Sequence, residues 1–392
     1  VIEARTLFPA GDLNRLRQIN EQAVLEIIRS AGELRLAEIA ERAGLARASA
    51  GEVVRGLQAK GWVAEEEPVA TGRGRPAHRY RFRAEAGNVV GLDIGAYTIR
   101  AAVADLRGDL RGEAVRLPAP ATPAGERLAM AREAVLECLA TAGIAEDDVW
   151  VTAVASTGTL DLDGAVLACA AIPDWRGVNL VERLTGRVPG VVMAENDVRL
   201  ATLAEQRLGA ARGVRDVIVV QAGRRVGLGI VIDGQLRRGH GGVAGDLSRF
   251  SALSCEHAIG HLDECVAVPR GGATGDQTRD VLAAAGEGRP EAVAAFTRYS
   301  RVVAEAVAST VSIVDPEMVV LTGTMAARAD LMLPVLEAEM DLRCMRTPRV
   351  VASSFGSDAV TLGAVWHALG YLADRLLGSE DTPVQPLRSP AV

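Results

Sequence analysis

Residues 88–117, NVVGLDIGAYTIRAAVADLRGDLRGEAVRL, constrain the fold of this chain more than any other segment. Three apolar stretches, divided by turns at 93–97 and 107–109, predict three antiparallel strands, the second over 99–105. A helix over 124–142 and a strand over 149–155 follow, and then a glycine turn carrying Asp161. The order recurs further along, with strands over 216–220, 227–232 and 235–238, then helices, then a strand over 318–321. A unit made twice builds two α/β lobes, and two lobes leave a cleft between them.

Composition narrows the class. With 392 residues, 49% hydrophobic and 24% charged, the chain is long enough for two or three domains and a large core. Its longest apolar runs, 217–220 and 318–321, fall far short of the ~20 residues of a membrane span. The first residues lack the basic-then-apolar pattern of a signal peptide, so the sequence predicts a cytoplasmic protein with no membrane partner. Five cysteines, at 138, 169, 255, 265 and 344, are scattered and odd in number, as expected of reduced thiols rather than a disulfide framework.

The formal charge of -7 divides unevenly. Residues 1–83 hold 14 Lys and Arg against 11 Asp and Glu, and the remainder holds 29 against 39. A basic head on an acidic body points to a polyanion-binding module joined to something else. Within the head, Leu16, Ile19, Ala23 and Ile27 mark an apolar face on a helix over 13–30. A second helix over 36–43, carrying Ile39 and Ala40, stops at Gly44, and a third over 47–60 turns Val53, Val54 and Leu57 inward. A short helix, a glycine turn and a second helix form the unit that lays a recognition helix in a DNA major groove. A strand from Trp62, a turn at 71–76 and a returning strand over 78–83 then read as the wing of a winged helix.

The wing tip is Gly72-Arg73-Gly74-Arg75-Pro76. Glycine permits an extended, shallow backbone there, and Arg73 and Arg75 can enter a narrow minor groove. Arg47 and Ser49 are the expected base or phosphate contacts and Arg55 a phosphate contact, while Lys60 caps the end of its helix. Small three-helix modules also serve as protein-interaction domains. Helix pattern, wing, basic excess and Arg-Gly-Arg-Pro together favour DNA.

The stretch VVQAGRRVGLGIVIDG, residues 219–234, reads as a strand, a glycine turn over 223–229 and a second strand. Such a hairpin can hold a phosphate on backbone N–H groups, although two arginines fill this one.

The body resembles the ROK family (repressors, open reading frames, kinases) over nearly the whole chain. The resemblance rests on GLDIGAYTIRAAVADL, STGTLDLDGAVL, IPDWRGVNL, VVMAENDVRLATLAEQRLGAARG, GLGIVIDGQLRRGHGGVAGDLSRF and VVLTGTMAARADLMLPVLEA. It implies an α/β chain: an N-terminal winged helix-turn-helix, then a two-lobed, actin-like and sugar-kinase-like (ribonuclease H-like) body. The implied division is 1–84 for the head, 88–200 with a C-terminal helix 360–378 for lobe 1, 201–359 for lobe 2, and a flexible polar tail 379–392.

The resemblance also implies a site. The family's catalytic base falls on Asp197, and sugar hydroxyls fall to Asn196, Asp246 and Glu264, since carboxylates accept paired hydroxyl hydrogen bonds. Asp197 also suits a helix N-cap ahead of a helix over 198–208, but the Glu-Asn-Asp triplet after a strand over 190–193 favours a ligand site. The family's sugar-contacting histidine position is Arg249, which suits an anionic ligand such as a phosphorylated or acidic sugar. The phosphate loops depart from the family pattern at Ala96 and Tyr97, at Arg224 and Arg225, and at Thr322-Gly323-Thr324. Arg225 in particular cannot take the left-handed or mirror-β backbone open to glycine. The family's zinc ligands align with Arg249, Cys255, His257 and Leu262, and two ligands cannot close a tetrahedral site. A rearranged set of Cys255, His257, His261 and Cys265 is the alternative to a metal-free loop.

These features predict a DNA-binding transcriptional regulator, a repressor in the first instance, whose kinase-like body senses a sugar or sugar phosphate. No catalytic residue is expected, Asp197 being a vestigial base, and neither ATP nor zinc is expected as a cofactor. The expected partners are a double-stranded DNA operator, the effector, and further copies of the chain as a homodimer or dimer of dimers. An ATP-dependent sugar kinase with a fused DNA-binding head, and a ligand-independent regulator, are the alternatives.

Overall fold

The computed structural model describes residues 12–66, 78–247, 258–263 and 277–377. Arg73, Arg75, Arg249, Glu264, Cys255, His257, Cys265 and the tail from 379 lie outside the described residues.

The head runs α1 (Asp12–Ala31), β1 (Leu34–Arg35), α2 (Leu36–Ala43), α3 (Arg47–Ala59), β2 (Val63–Glu66) and β3 (Arg79–Phe82). Gly44 ends α2 in the left-handed region at φ 64, and its N–H and that of Leu45 close onto the carbonyls of Glu41 and Ala40. Glycine takes that backbone without strain, which makes this bend legible in the sequence. β2 and β3 pair antiparallel, Val63 opposite Phe82, and β1 joins the free edge of β3 to complete a winged helix-turn-helix.

The buried face of α1 is not the predicted one. Leu16 is 54% and Ile19 52% exposed, and Ala23 faces solvent, while Glu21, Val24, Leu25 and Ile28 are buried. The helix carries apolar residues on two adjoining stripes, and docking on α2 and α3 selects between them. Glu21 can be buried because Lys60 Nζ lies 2.7 Å from its carboxylate. Lys60 is the C-cap residue of α3, as predicted, but its side chain ties α3 to α1.

The body consists of two five-stranded sheets of one topology. The first unit is β4 (Asn88–Ile94), β5 (Ile99–Asp105), β6 (Leu110–Arg116), α4 (Ala124–Ala142) and β7 (Val149–Ser156). A small hairpin of β8 (Thr159–Leu160) and β9 (Val166–Ala168) follows, then α5 (Leu180–Leu184) and β10 (Val191–Asn196). After α6 (Asp197–Arg207) the second unit is β11 (Val217–Ala222), β12 (Val226–Ile232) and β13 (Gln235–Leu236). It continues through α7 (Gly260–Asp263), α8 (Gln277–Gly286), α9 (Pro290–Val314), β14 (Met318–Thr322), α10 (Ala329–Arg343) and β15 (Arg349–Ala352). The strand orders are β10-β7-β4-β5-β6 and, read in the same sense, β15-β14-β11-β12-β13. In each sheet the first strand is central, antiparallel to the second and parallel to the fourth.

The last helix, α11 (Ala359–Leu377), returns to the first sheet and packs on β4, β7 and α6. Two glycines make that approach possible. A Cβ on Gly91 of β4 would stand 2.6 Å from the Thr361 carbonyl oxygen, and one on Gly363 of α11 would stand 1.8 Å from that of Leu200. Head and first sheet also share one core. Val24, Ile28, Trp62 and Phe82 belong to the same buried cluster as Trp150, Val365 and Leu372. Trp62 stacks on Phe82 at 6.3 Å and meets Trp150 edge-on at 5.9 Å. On the surface of that junction, the Arg29 guanidinium of α1 lies 5.3 Å from the ring of Trp366 on α11.

Candidate functional site

A cleft of about 1010 Å³ opens between the two sheets. Its wall carries the loop 95–98 after β4, the β11–β12 turn and Gly323-Thr324 after β14, which are the three loops singled out from sequence. Asn196, Asp197 and Asp246 line the same cleft.

Asn196 ends β10 and caps α6, its Oδ1 accepting from Arg199 N–H at 3.2 Å. The cap is therefore Asn196, and Asp197 is the first residue inside the helix, free of that duty. Asn196 Nδ2 donates to the Gly158 carbonyl at 2.9 Å and to Asp197 Oδ1 at 3.0 Å. Asp197 also accepts from Val198 N–H at 2.9 Å and from Gln221 Nε2 at 3.3 Å. Asp246 bridges to Gly227 and accepts a hydrogen bond from Thr159 Oγ1.

Burial pushes the Asp197 carboxyl up to about 6, against the pull of the Val198 N–H, Arg225 and Gln221. Asp93 goes further, to about 8, through burial and then the charge of Asp197, with Arg100 opposing. A carboxyl raised in the folded state supports stability fully below its unfolded value and loses that support as pH rises through the folded value. Wild-type protein should therefore lose stability as pH rises from about 4, where the unfolded carboxyls ionise, to about 8, the folded value of Asp93, and Asp93→Asn should flatten that slope. Urea midpoints at four pH values check this, and parallel curves for the two proteins refute it.

Behind the site, a network centred on the buried Glu195 and Arg199 fixes the loop that carries Asp246. Arg199 Nε lies 2.7 Å from Glu195 Oε1, and its Nη1 donates to the Gly242 carbonyl at 2.7 Å. Arg238 reaches Glu195 Oε2 at 2.6 Å and His367 Nε2 at 3.4 Å. Burial first, then Arg238, holds His367 down to about 4 despite Glu195, so its ring is neutral at pH 7. Arg127 does similar work for the first loop. Fully buried, it donates to the carbonyls of Gly95 at 2.7 Å, Ala96 at 3.1 Å and Ala119 at 3.2 Å. Glu195 stood in the Glu-Asn-Asp segment of the family resemblance, but no sequence signal marked Arg199 or Arg127, whose partners include distant carbonyls.

The β11–β12 turn is tighter than its sequence suggested. Ala222 faces Val226, and Gly223 N–H donates to the Arg225 carbonyl at 3.0 Å. Gly227 and Gly229 are strand residues beneath α6, where a Cβ would stand 2.7 Å from Val198 Cγ2 and 1.7 Å from Thr202 Oγ1. Their glycine identity serves helix packing. Arg225 has no positive φ, so the turn does not call for glycine at that position. Arg224 pairs with Asp263 of α7 at 3.6 Å and reaches Thr278 Oγ1 at 3.5 Å. Both arginines line the cleft, and Arg225 Nη1 lies 4.0 Å from Cys169 Sγ. Of the aligned zinc positions, Leu262 is described, and it is buried in the second lobe's core.

In the head, Arg47, Ser49 and Arg55 are exposed on α3, opposite the buried Ala50, Val53, Val54 and Leu57. The sequence profile of the ROK family matches residues 89–252 and 272–370. The chain belongs to the ROK family. An IclR helix-turn-helix domain profile matches residues 23–67 of the ROK chain's head. Among curated relatives, a glucokinase of Streptomyces coelicolor is 28% identical over 63% of this chain and 85% of its own length. The DNA-binding transcriptional dual regulator NagC of Escherichia coli is 21% identical over 86% of this chain and 88% of its own. The crystal structure of a ROK family transcriptional regulator, a homologue of the E. coli MLC protein, superposes with a TM-score of 0.71 at 21% identity. It covers 92% of this chain and 98% of that one. Among the described residues no helix is long and apolar enough to cross a membrane.

Proposed function

We propose that this ROK chain is a sugar-responsive DNA-binding regulator, a repressor in the first instance, whose kinase-like body binds its effector without phosphoryl transfer. One observation carries the reading: α11 joins the cleft to the head. Val360 lines the cleft, His367 meets Arg238 beside the loop of Asp246, and Trp366 supports Arg29 of α1. A ligand that draws Asp197 and Asp246 together has a mechanical route to the recognition helix through packed side chains. Two heads of a homodimer, displaced in this way, would change their spacing against operator half-sites.

Loss of phosphoryl transfer is supported by the loops. Arg224 and Arg225 occupy the turn that offers small residues in the kinase pattern, and Ala96 and Tyr97 add side chains to the first loop. These residues do not fit an ATP triphosphate lying close against the backbone. On the zinc question, Leu262 is an apolar core residue at an aligned ligand position, which does not fit the family's metal site.

Selection of duplexes from a random DNA library should recover an operator, and one member of a panel of sugars and sugar phosphates should shift its affinity at least tenfold. Operator binding indifferent to the whole panel would remove the sensing claim. The second reading, a kinase, rests on the cleft position of Asp197. The same panel scored for ADP release should stay at background, and turnover that disappears in Asp197→Ala would establish the kinase instead.

A further inference from the structure

We infer that the junction of head and body holds a second ligand site, which takes a neutral, single-ring aromatic carbonyl compound. The Trp62 indole N–H is its hydrogen-bond donor. The site shares no wall residue with the cleft, so it stands whatever the effector of the cleft is.

A cavity of about 150 Å³ lies where α1 and the wing strands meet α11. Leu25, Trp62 and Phe82 of the head and Leu106, Trp366 and Leu369 of the body form its walls. Glu26, Arg207 and Ala373 also line it and are exposed, so it opens to solvent on that side. An apolar protein cavity of about that volume takes up one benzene-sized ring. Tryptophan and phenylalanine walls add edge-to-face or offset-stacked contacts to such a ring. On α11, a Cβ added to the wall residue Gly370 would meet nothing within 4 Å.

The chemistry of the guest follows from two wall residues. Trp62 is 4% exposed, and its Nε1 is buried with no hydrogen-bond partner among the described residues. A buried donor left unpaired is costly, and one acceptor oxygen on a guest relieves it. Water is a poor substitute, because it needs about two to four polar partners and the neighbouring walls are hydrocarbon. A carbonyl oxygen accepts without bringing a donor of its own to leave unpaired, which favours it over a phenol. Arg29 sets the charge. Its Nε and Nη2 donate to Glu26 Oε2 and Oε1, each at 2.8 Å, and its guanidinium lies 5.3 Å from the Trp366 ring. A carboxylate among these walls would give up hydration to meet a guanidinium already neutralised by Glu26. A sugar fits no better, since its several hydroxyls would face apolar side chains. Trp366 and Arg29 also join α11 to α1, so a guest beside them holds head against body.

The test uses the full chain, with acetophenone, its hydrocarbon isostere isopropylbenzene, and benzoate as probes, read by calorimetry, thermal shift and tryptophan fluorescence. Acetophenone should bind, raise the melting temperature with concentration and change the tryptophan emission. Benzoate should bind more weakly. Trp62→Phe keeps an aromatic wall and removes the N–H, and should lower the ratio of acetophenone to isopropylbenzene affinity by about fivefold or more. Gly370→Leu, which fills the cavity from α11, should abolish binding while the free protein melts at the same temperature or higher. No binding of acetophenone, tighter binding of benzoate, an unchanged affinity ratio in Trp62→Phe, or binding untouched by Gly370→Leu would each overturn the inference. Binding that appears only once residues 379–392 are removed would give the cavity to that segment and overturn it as well.

Discussion

Gly363→Ala should destabilise the protein by about 3 kcal/mol or more and abolish effector binding with it. In an exposed helix such a change is worth up to about 1 kcal/mol in the opposite direction, because alanine loses less backbone entropy than glycine. Packing reverses the sign here, since the new Cβ would lie 1.8 Å from the backbone oxygen of Leu200, and a backbone atom cannot rotate aside. α6 must move off α11, and the N-terminus of α6 holds Asn196 and Asp197. Gly370→Ala on the same helix meets nothing within 4 Å and should be neutral or stabilising. Urea unfolding of the pair, with effector-induced thermal shift as the second readout, separates a packing effect from a propensity effect. Equal stability of the two variants would refute it.

Glu195→Gln should cost about 3–5 kcal/mol, the usual penalty for leaving a buried charge without its partner. Glu195 is the common acceptor of Arg199 and Arg238, and both Glu195 and Arg199 are buried. Removing its charge leaves two guanidinium groups facing an amide that cannot serve both. The functional consequence follows from the same contacts, because Arg199 holds the Gly242 carbonyl on the loop leading to Asp246, and Arg238 faces His367 on α11. The variant should bind operator DNA with little change in affinity and respond weakly to effector. Replacing Glu195 and Arg199 together by Leu and Met should recover much of the stability, since a well-packed apolar pair avoids the uncompensated charge. Denaturation midpoints across the three proteins decide the matter.

Local pattern accounts for what was readable along the chain. The strands predicted over 99–105, 149–155, 216–220, 227–232, 235–238 and 318–321 lie within a residue or two of their observed bounds, because apolar runs broken by Gly and Asp carry their own periodicity, while β15 was not predicted. Gly44 announced its turn through a backbone that glycine adopts freely. The face of α1 was not readable, since two apolar stripes lie side by side and only docking distinguishes them. Gly227 and Gly229 misled for a related reason. Glycine in a strand signals either a turn or a close neighbour, and the neighbour was α6, a separate element of the fold.

The site divides along the same line. The sequence by itself determined that a helix-turn-helix precedes a duplicated α/β body, because short-range order and spacing encode it, whereas Asn196, Asp197 and Asp246 were singled out by the family resemblance and the structure brings them to one cleft. Only the tertiary structure decided that Arg224 pairs with Asp263 while Arg225 lies beside Cys169. It also decided that Arg127 and Arg199 are the buried supports of the loops, and that head and body share one core through Trp62 and Trp150. Each of these depends on groups tens of residues apart whose pairing exists only once their elements have packed on one another, and no local pattern records it.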